Sequence, residues 1–244
     1  MSQTIYFNQL AFTVDQKTIV KGVNIDLSSG EIVGLFGPNG AGKTTTFMMM
    51  VGLNSPSSGQ IFFNKKDITK VPIYRRSELG IGYLSQEASV FQNLTTEENI
   101  LVALELAKKG KQDKRILQKK CDDLLQEYHL TESRLTQSKM LSGGQKRRLE
   151  IARVMAQNPK LIFLDEPFAG VDPLSIHEMK LIISQLKNKN IGIMISDHNV
   201  RDTLPFCDRA YIMVSGKVIA EGSPSDIIAN KDAQKHYFGS TFDR

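Results

Sequence analysis

The chain has 244 residues, of which 41% are hydrophobic and 23% charged, enough to bury a substantial core as one large domain or as a domain with a lobe. Its net charge of +5 suits an anionic ligand or a membrane surface and does not by itself establish nucleic-acid binding. No stretch approaches the roughly 20 apolar residues of a membrane span. Cys121 and Cys207 lie far apart with no metal spacing, and Met1–Thr4 shows no basic, apolar signal segment, so a reduced cytosolic protein is expected.

In chain order, Ile5–Val14 reads as a strand and Asp15–Lys17 as a turn. Ile19–Leu27 reads as a second strand, with apolar residues at 23, 25 and 27. This opening predicts an antiparallel hairpin or small sheet able to offer a surface to a nucleotide base. Glu31–Phe36 is an apolar run of the kind that forms a buried parallel strand, and a helix is expected from Thr45 to about Gly52. Between them lies Gly37–Thr44, GPNGAGKT. A strand, a glycine-rich turn and a helix carrying Lys-Thr in its first turn form the setting of a phosphate-binding loop. Gly37, Gly40 and Gly42 let the backbone curl around an anion, and the helix adds its positive end. Lys43 can reach β- and γ-phosphates, and Thr44 can place a hydroxyl on magnesium.

Gln60–Asn64 and Gly80–Leu84 read as further strands, with Ile73–Ser77 as the approach to the second. Gln86 stands just past a strand's carboxyl end, where ligands of such sheets lie. The pattern then turns helical from about 87 to 155. Thr95–Asn99 resembles a cap, and Ile100, Leu101, Leu104, Leu106, Ile116, Leu117, Leu124, Leu125 and Tyr128 carry apolar faces. Lys108–Arg115 is a basic stretch best read as a solvated link or helix end. Ser142, Gly143 and Gly144 precede a helix expected over Lys146–Gln157, a second surface on which a phosphate could rest. Arg147, Arg148 and Arg153 on it are expected to make structural salt links and surface charge.

Leu161–Glu166 is a strand that delivers two carboxylates at its tip. A magnesium ion would give buried Asp165 a partner, and Glu166 can polarise an attacking water. Leu174–Leu186 reads as a helix and Ile191–Ile195 as a buried strand, which places His198 on the same edge as a candidate γ-phosphate sensor. Two strands follow around Ser215-Gly216, then a helix from Ser223-Pro224. The tail holds Tyr237, Phe238 and Phe242, aromatic enough to dock on the domain or a partner.

Taken together these motifs resemble the nucleotide-binding subunits of ABC transporters. The Walker A motif would be Gly37–Thr44, the glutamine loop Gln86 and the signature Leu141–Gln145. Walker B would end at Asp165-Glu166, with a D-loop at Ala169–Asp172 and a switch histidine at His198. Within that family the chain looks most like the ATPases of bacterial lipopolysaccharide export, on the runs Gly82–Phe91, Arg147–Arg153, Leu164–Pro173 and Tyr237–Phe242. The ATPases of branched-chain amino-acid uptake are the nearest alternative, and soluble family members acting on nucleic acid or ribosomes a more distant one.

The resemblance implies an α/β phosphate-loop NTPase core, an N-terminal antiparallel β subdomain and an inserted helical subdomain. The core would be 1–86 and 156–244, and the helical part 87–155. It implies ATP and Mg2+ as cofactors. ATP would be held by Gly37, Pro38, Asn39, Gly40, Ala41, Gly42, Lys43, Thr44 and Thr45 of one copy, and by Ser142, Gly143, Gly144 and Gln145 of a second copy. Thr44, Gln86 and Asp165 would attend the metal, and Glu166, His198 and Gln86 the hydrolysis. Asp172 would carry communication across the dimer. Two transmembrane permease subunits would dock near Ala88–Asn99, with Phe91 as the apolar contact. The subunit would be peripheral on the cytoplasmic face of the inner membrane, with no direct nucleic-acid partner. Val14 falls where the family usually has an aromatic residue for adenine, with Phe12 or Tyr6 as substitutes.

Overall fold

The computed structural model describes residues 2–87, 89–107 and 113–238. Most of the basic stretch (108–112), Ala88 and the tail from 239, Phe242 included, lie outside the described residues. In β1 (Thr4–Val14) and β2 (Lys17–Ser28), the period-two residues Ile5, Phe7, Val23, Ile25 and Leu27 are buried. The turn residues Asp15 and Gln16 both have left-handed φ, 46° and 63°, as a two-residue hairpin of this twist requires. β3 (Ile32–Phe36) is buried at every position, the mark of a strand covered on both faces. After the glycine loop comes α1 (Lys43–Val51), closed by Gly52, whose N–H reaches the Met48 and Met49 carbonyls. β4 (Ser58–Phe63) and the short β5 (Lys66–Asp67) complete an antiparallel sheet of order β2-β1-β4-β5. α2 (Ile73–Glu78), which the sequence reading leaves as an approach segment, precedes β6 (Ile81–Leu84).

The next described segment is helical. α3 (Thr96–Leu106) begins with a reciprocal capping box between Thr95 and Glu98, and α4 (Lys114–Glu127) is capped by Asp113. α5 (Gly143–Met155) starts three residues earlier than expected, because Ser142 and Gln145 form a second capping box and draw both glycines into the first turn. Ile100, Leu104, Leu117, Cys121, Leu125 and Leu149 belong to an apolar cluster that continues into Leu84, Ile162 and Leu164 of the sheet. The helical segment therefore shares one core with the strands.

The remaining elements are β7 (Leu161–Asp165), α6 (Pro173–Asn188), β8 (Gly192–Asp197), α7 (Val200–Thr203), β9 (Arg209–Val214), β10 (Lys217–Gly222) and α8 (Pro224–Ala229). They build a six-stranded sheet of order β10-β9-β3-β8-β7-β6, parallel except for β10. α1 packs between the sheets: Phe47, Met49 and Met50 share a cluster with Ile5 and Phe7 on one side and Leu35, Phe163 and Met194 on the other. The register aligns the strand tips, with Phe36 opposite Asp197, Asp165 opposite Ser196 and Leu84 opposite Leu164. Every loop leaving these tips opens on one edge.

Arg76 of α2 holds the far end of α1. It is 1% exposed and donates to the carbonyls of Val71, Met49, Met50, Ile68 and Thr69 at 2.6–3.0 Å. The Met49 and Met50 carbonyls belong to the last turn of α1, which has no further intrahelical donors. Burial pushes the guanidinium down to about 10, opposed by Asp67. Gly52 is required beside it, since a Cβ there would stand 2.8 Å from Arg76 Nε. Arg76→Met, which keeps an unbranched apolar stem and removes the guanidinium donors, is expected to cost about 3 kcal/mol of unfolding free energy in a urea titration. A cost below about 1 kcal/mol would mean that water serves those carbonyls equally well.

Candidate nucleotide site

The glycine loop is closed by backbone geometry. Gly42 forms the N-cap of α1 at φ 103° with no side-chain cap, and Gly40 has φ 78°. A Cβ at Gly37 would lie 2.0 Å from the Met213 carbonyl oxygen, so the loop's first residue must be bare. Lys43 is 6% exposed, and its Nζ donates to the carbonyls of Gly37 (2.7 Å) and Pro38 (3.1 Å), bracing the loop from within. Burial lowers its pKa, while Glu166, Asp165 and Asp197 pull the other way. The unpaired N–H groups at the start of α1 and this ammonium together form an anion site.

Opposite the loop, Asp165 is 1% exposed. One of its carboxylate oxygens accepts from the Ser196 hydroxyl. The other, Oδ2, is buried and has no hydrogen-bond partner among the described residues. An orphaned carboxylate oxygen is costly and calls for a cation. Thr44 and Gln86 line the adjacent cavity. No group of three or more His, Cys, Asp or Glu residues able to hold a metal occurs among the described residues. A hard cation here would complete its shell with phosphate oxygens and water, the habit of Mg2+.

Glu166 has a left-handed backbone (φ 46°) held by its N–H on the Ser196 carbonyl (3.0 Å) and hydroxyl (3.2 Å). The Ser196 hydroxyl thus links the two residues, accepting from the Glu166 backbone N–H and donating to the Asp165 carboxylate. Nothing in sequence patterning marks it beyond its place at a strand tip. The Gln86 amide donates to Glu166 Oε2 at 3.0 Å, and His198 Nδ1 stands 3.9 Å from the same oxygen. Asn39, Gly40–Thr45, Gln86, Glu166 and His198 line one cavity of about 560 Å³, together with Lys17 and Ile19 of β2.

That lining bears on the base platform. Val14 lies half exposed outside it, and Tyr6 stacks on Phe62 (centroids 4.7 Å apart, 11° between planes) beside other cavities. Neither is at the cavity. The hairpin instead presents the Lys17 stem and the aliphatic Ile19, which sequence reasoning overlooked because neither is aromatic.

The signature residues are elsewhere. None of Ser142, Gly143, Gly144 and Gln145 lines the cavity. Ser142 Oγ accepts from Gln145 N–H, and the Gln145 side chain bonds back to Ser142 N–H (3.0 Å) and across to Ser133 Oγ (2.9 Å). Gly144 presses on α6, where a Cβ would meet Ser175 Oγ at 2.4 Å. Asp172 caps that helix, accepting from Ser175 N–H at 3.0 Å, and this bonding holds its carboxyl below the ordinary value.

Arg147 makes a salt link as expected, but in the interior rather than on the surface. It is 7% exposed and pairs with Glu150 (2.8 Å) while donating to the carbonyls of Ser85, Asp165 and Pro167. The signature helix is thereby tied to the tips of β6 and β7. Phe91 is 44% exposed with the Arg153 guanidinium 4.6 Å from its ring centre.

A phosphate loop, an orphaned carboxylate and a Gln–Glu–His group on one edge of a parallel sheet, with a glycine-rich helix start outside their cavity, define an ATP-binding cassette. The sequence model of the ABC transporter family matches residues 20–169. The chain belongs to that family, and its enzymatic activity is ATP hydrolysis. It is 46% identical to the lipopolysaccharide export system ATP-binding protein LptB of Haemophilus influenzae, over 96% of each chain. It is 43% identical to LptB of Escherichia coli K12, over 98% of each. Among solved structures, MJ1267, an ATP-binding cassette of an ABC transporter, superposes with a TM-score of 0.87 at 27% identity, covering 97% of this chain and 99% of that one.

Lys43→Ala removes both the ammonium and the brace on Gly37 and Pro38. It is expected to weaken ATP binding about 10- to 100-fold by calorimetry, the worth of one or two charge-assisted hydrogen bonds. Unchanged affinity would mean that the backbone cradle alone holds the nucleotide.

Proposed function

We propose that this chain is the ATPase subunit that drives lipopolysaccharide extraction and export from the bacterial inner membrane through two transmembrane partner subunits. The observation that carries this reading is near full-length identity of 46% and 43% to proteins named for that system, and the cavity lined by Asn39, Gly40–Thr45, Gln86, Glu166 and His198 supports it. The core would be residues 1–86 and 156–244, with 87–155 as the helical signature subdomain.

ATP binds with its phosphates on Gly37–Thr45. Glu166 accepts a hydrogen bond from the attacking water and polarises it, while Gln86, bonded to the same carboxylate, reports the state of the site to the helical segment. His198 faces the γ-phosphate beside Glu166. Thr44, Gln86 and the unpartnered oxygen of Asp165 would hold Mg2+, which offsets charge on the β- and γ-phosphates. The signature residues lie outside their own chain's cavity, which supports an arrangement in which Ser142, Gly143 and Gly144 close the site of a second copy. Gln145, spent on its capping bonds, would shape that turn. The γ-phosphate then joins two positive backbone surfaces, and its loss loosens the dimer, a switch of the order–closure type. Asp172, at the start of α6 below the signature turn, would carry communication between copies.

No helix among the described residues is long and apolar enough to cross a membrane. The subunit would sit on the cytoplasmic face, docked through the exposed Phe91 ring, with no nucleic-acid partner.

Glu166→Gln preserves shape and removes the base. ATP should still bind and a closed dimer accumulate, with turnover down about 10²- to 10⁴-fold; rapid turnover in a phosphate-release assay would remove Glu166 from its role. The cargo is tested by isolating the subunit from mildly solubilised native membranes and identifying its companions by mass. Two membrane proteins of the lipopolysaccharide-export type are expected. Amino-acid permease subunits would keep the motor and overturn the cargo. In the same isolation Phe91→Ala should recover less of the membrane pair while the purified chain hydrolyses ATP normally; equal recovery would remove Phe91 from the interface.

A further inference from the structure

The last described element is the turn Gln234–Phe238, wound as a π-helix. Phe238, 7% exposed, anchors it in the apolar cluster that also holds Val200, Leu204 and Ile227. This anchoring places the neighbouring Tyr237 beside the nucleotide edge. The Tyr237 hydroxyl donates to the His198 carbonyl oxygen at 3.2 Å. The Gly37 backbone, where the phosphate loop begins, also interacts with that hydroxyl. Burial pushes the phenol up to about 12, so it remains a protonated donor at neutral pH.

The His198 side chain has little to hold it. It is 58% exposed, and its Nδ1 stands 3.9 Å from Glu166 and 3.6 Å from Asp197, beyond hydrogen-bond distance. An imidazole without firm side-chain bonds takes its aim from its backbone. On the N-terminal side that backbone is fixed by Asp197, which is 4% exposed and accepts from Asn199 N–H (2.9 Å) and the Thr203 hydroxyl (2.6 Å). On the other side, the His198 carbonyl is taken up by Tyr237.

We propose that Tyr237 is a positioning residue of the ATPase site: its hydrogen bond to the His198 carbonyl fixes the loop between β8 and α7 so that the imidazole faces the γ-phosphate position beside Glu166. Tyr237 touches neither nucleotide nor water and acts through His198. The proposal rests on the reading of His198 given above. It gives the tail's aromatic residues a second task besides filling the core, since Phe238 supplies the anchor and Tyr237 the bond.

The test is steady-state ATP hydrolysis by the full chain carrying Tyr237→Phe, which keeps the ring and removes the hydroxyl. The expected result is a fall in kcat of about fivefold, the worth of one neutral hydrogen bond, with KM for ATP changed by less than about twofold. Thermal melting and nucleotide binding of the variant establish that it is folded. The decisive comparison is a double-mutant cycle with His198→Ala, read in single-turnover assays. Tyr237→Phe should cost nothing further once His198 is gone. If the two losses multiply, or if Tyr237→Phe is silent while His198→Ala is impaired, the positioning role is overturned and the site reading stands. If His198→Ala itself turns over like the native chain, the role of His198 fails and the role of Tyr237 with it.

Discussion

A buried ammonium facing buried carboxylates governs the architecture of this chain. Lys43 sits almost fully enclosed at the start of α1, and Glu166, Asp165 and Asp197 oppose the penalty that burial places on its charge. Like charges gathered without a counter-ion would repel, and an isolated buried lysine would release its proton. The two sets must be brought together by elements that cannot drift. Parallel strands β3, β7 and β8 do this, because their register pairs Phe36 with Asp197 and Asp165 with Ser196, within one residue of each other at the strand tips. The helix dipole of α1 and the bare glycine backbone then add positive potential at that level, where a polyphosphate can take it up.

The same edge is wired to the helical segment. Arg147 spans from α5 to the carbonyls of Ser85, Asp165 and Pro167, so the signature helix is bonded directly to the strand tips beside Gln86 and Glu166. Ser196 connects Asp165 to Glu166 through one hydroxyl. These links involve buried groups with defined partners, which makes the site a set of coupled positions. The signature turn, by contrast, is satisfied within its own capping box and leans on α6. Gly143 is exposed and Gly144 is buried against α6, and neither lines the cavity that the same chain builds.

Much of this was legible in the linear chain because it depends on local rules. The phosphate loop needs glycines at fixed spacing between a strand and a helix, and those constraints act within eight residues. The cap within Thr95–Asn99 is equally local and was read from the sequence, whereas the Ser142–Gln145 box, though as local, starts its helix three residues before the Lys146 expected. Period-two burial exposed the hairpin, and continuous apolar runs exposed β3, β7 and β8. Reading failed where the partner is distant in sequence. Arg76 looks like an ordinary charged helix residue, yet it closes α1, 27 positions away from Met49. Arg147 looks like surface charge until Ser85, 62 positions earlier, is brought beside it. Tyr6 and Val14 were plausible near a base by strand position alone, whereas the twist and packing of the hairpin turn Lys17 and Ile19 toward the cavity.

The sequence by itself therefore determined the class of chemistry: an anion loop, a lysine, a carboxylate pair and a glycine-rich helix start, each defined by residue type and short spacing. Only the tertiary structure decided which of these groups meet. It joined Gln86, Glu166 and His198 around one oxygen, left Asp165 with an unpartnered one, placed Tyr237 against the switch loop and kept the signature turn out of its own chain's cavity. The reason is physical. Local propensity acts through neighbours a few residues apart, while the meeting of strand tips is set by sheet register and by packing between residues far apart in the chain.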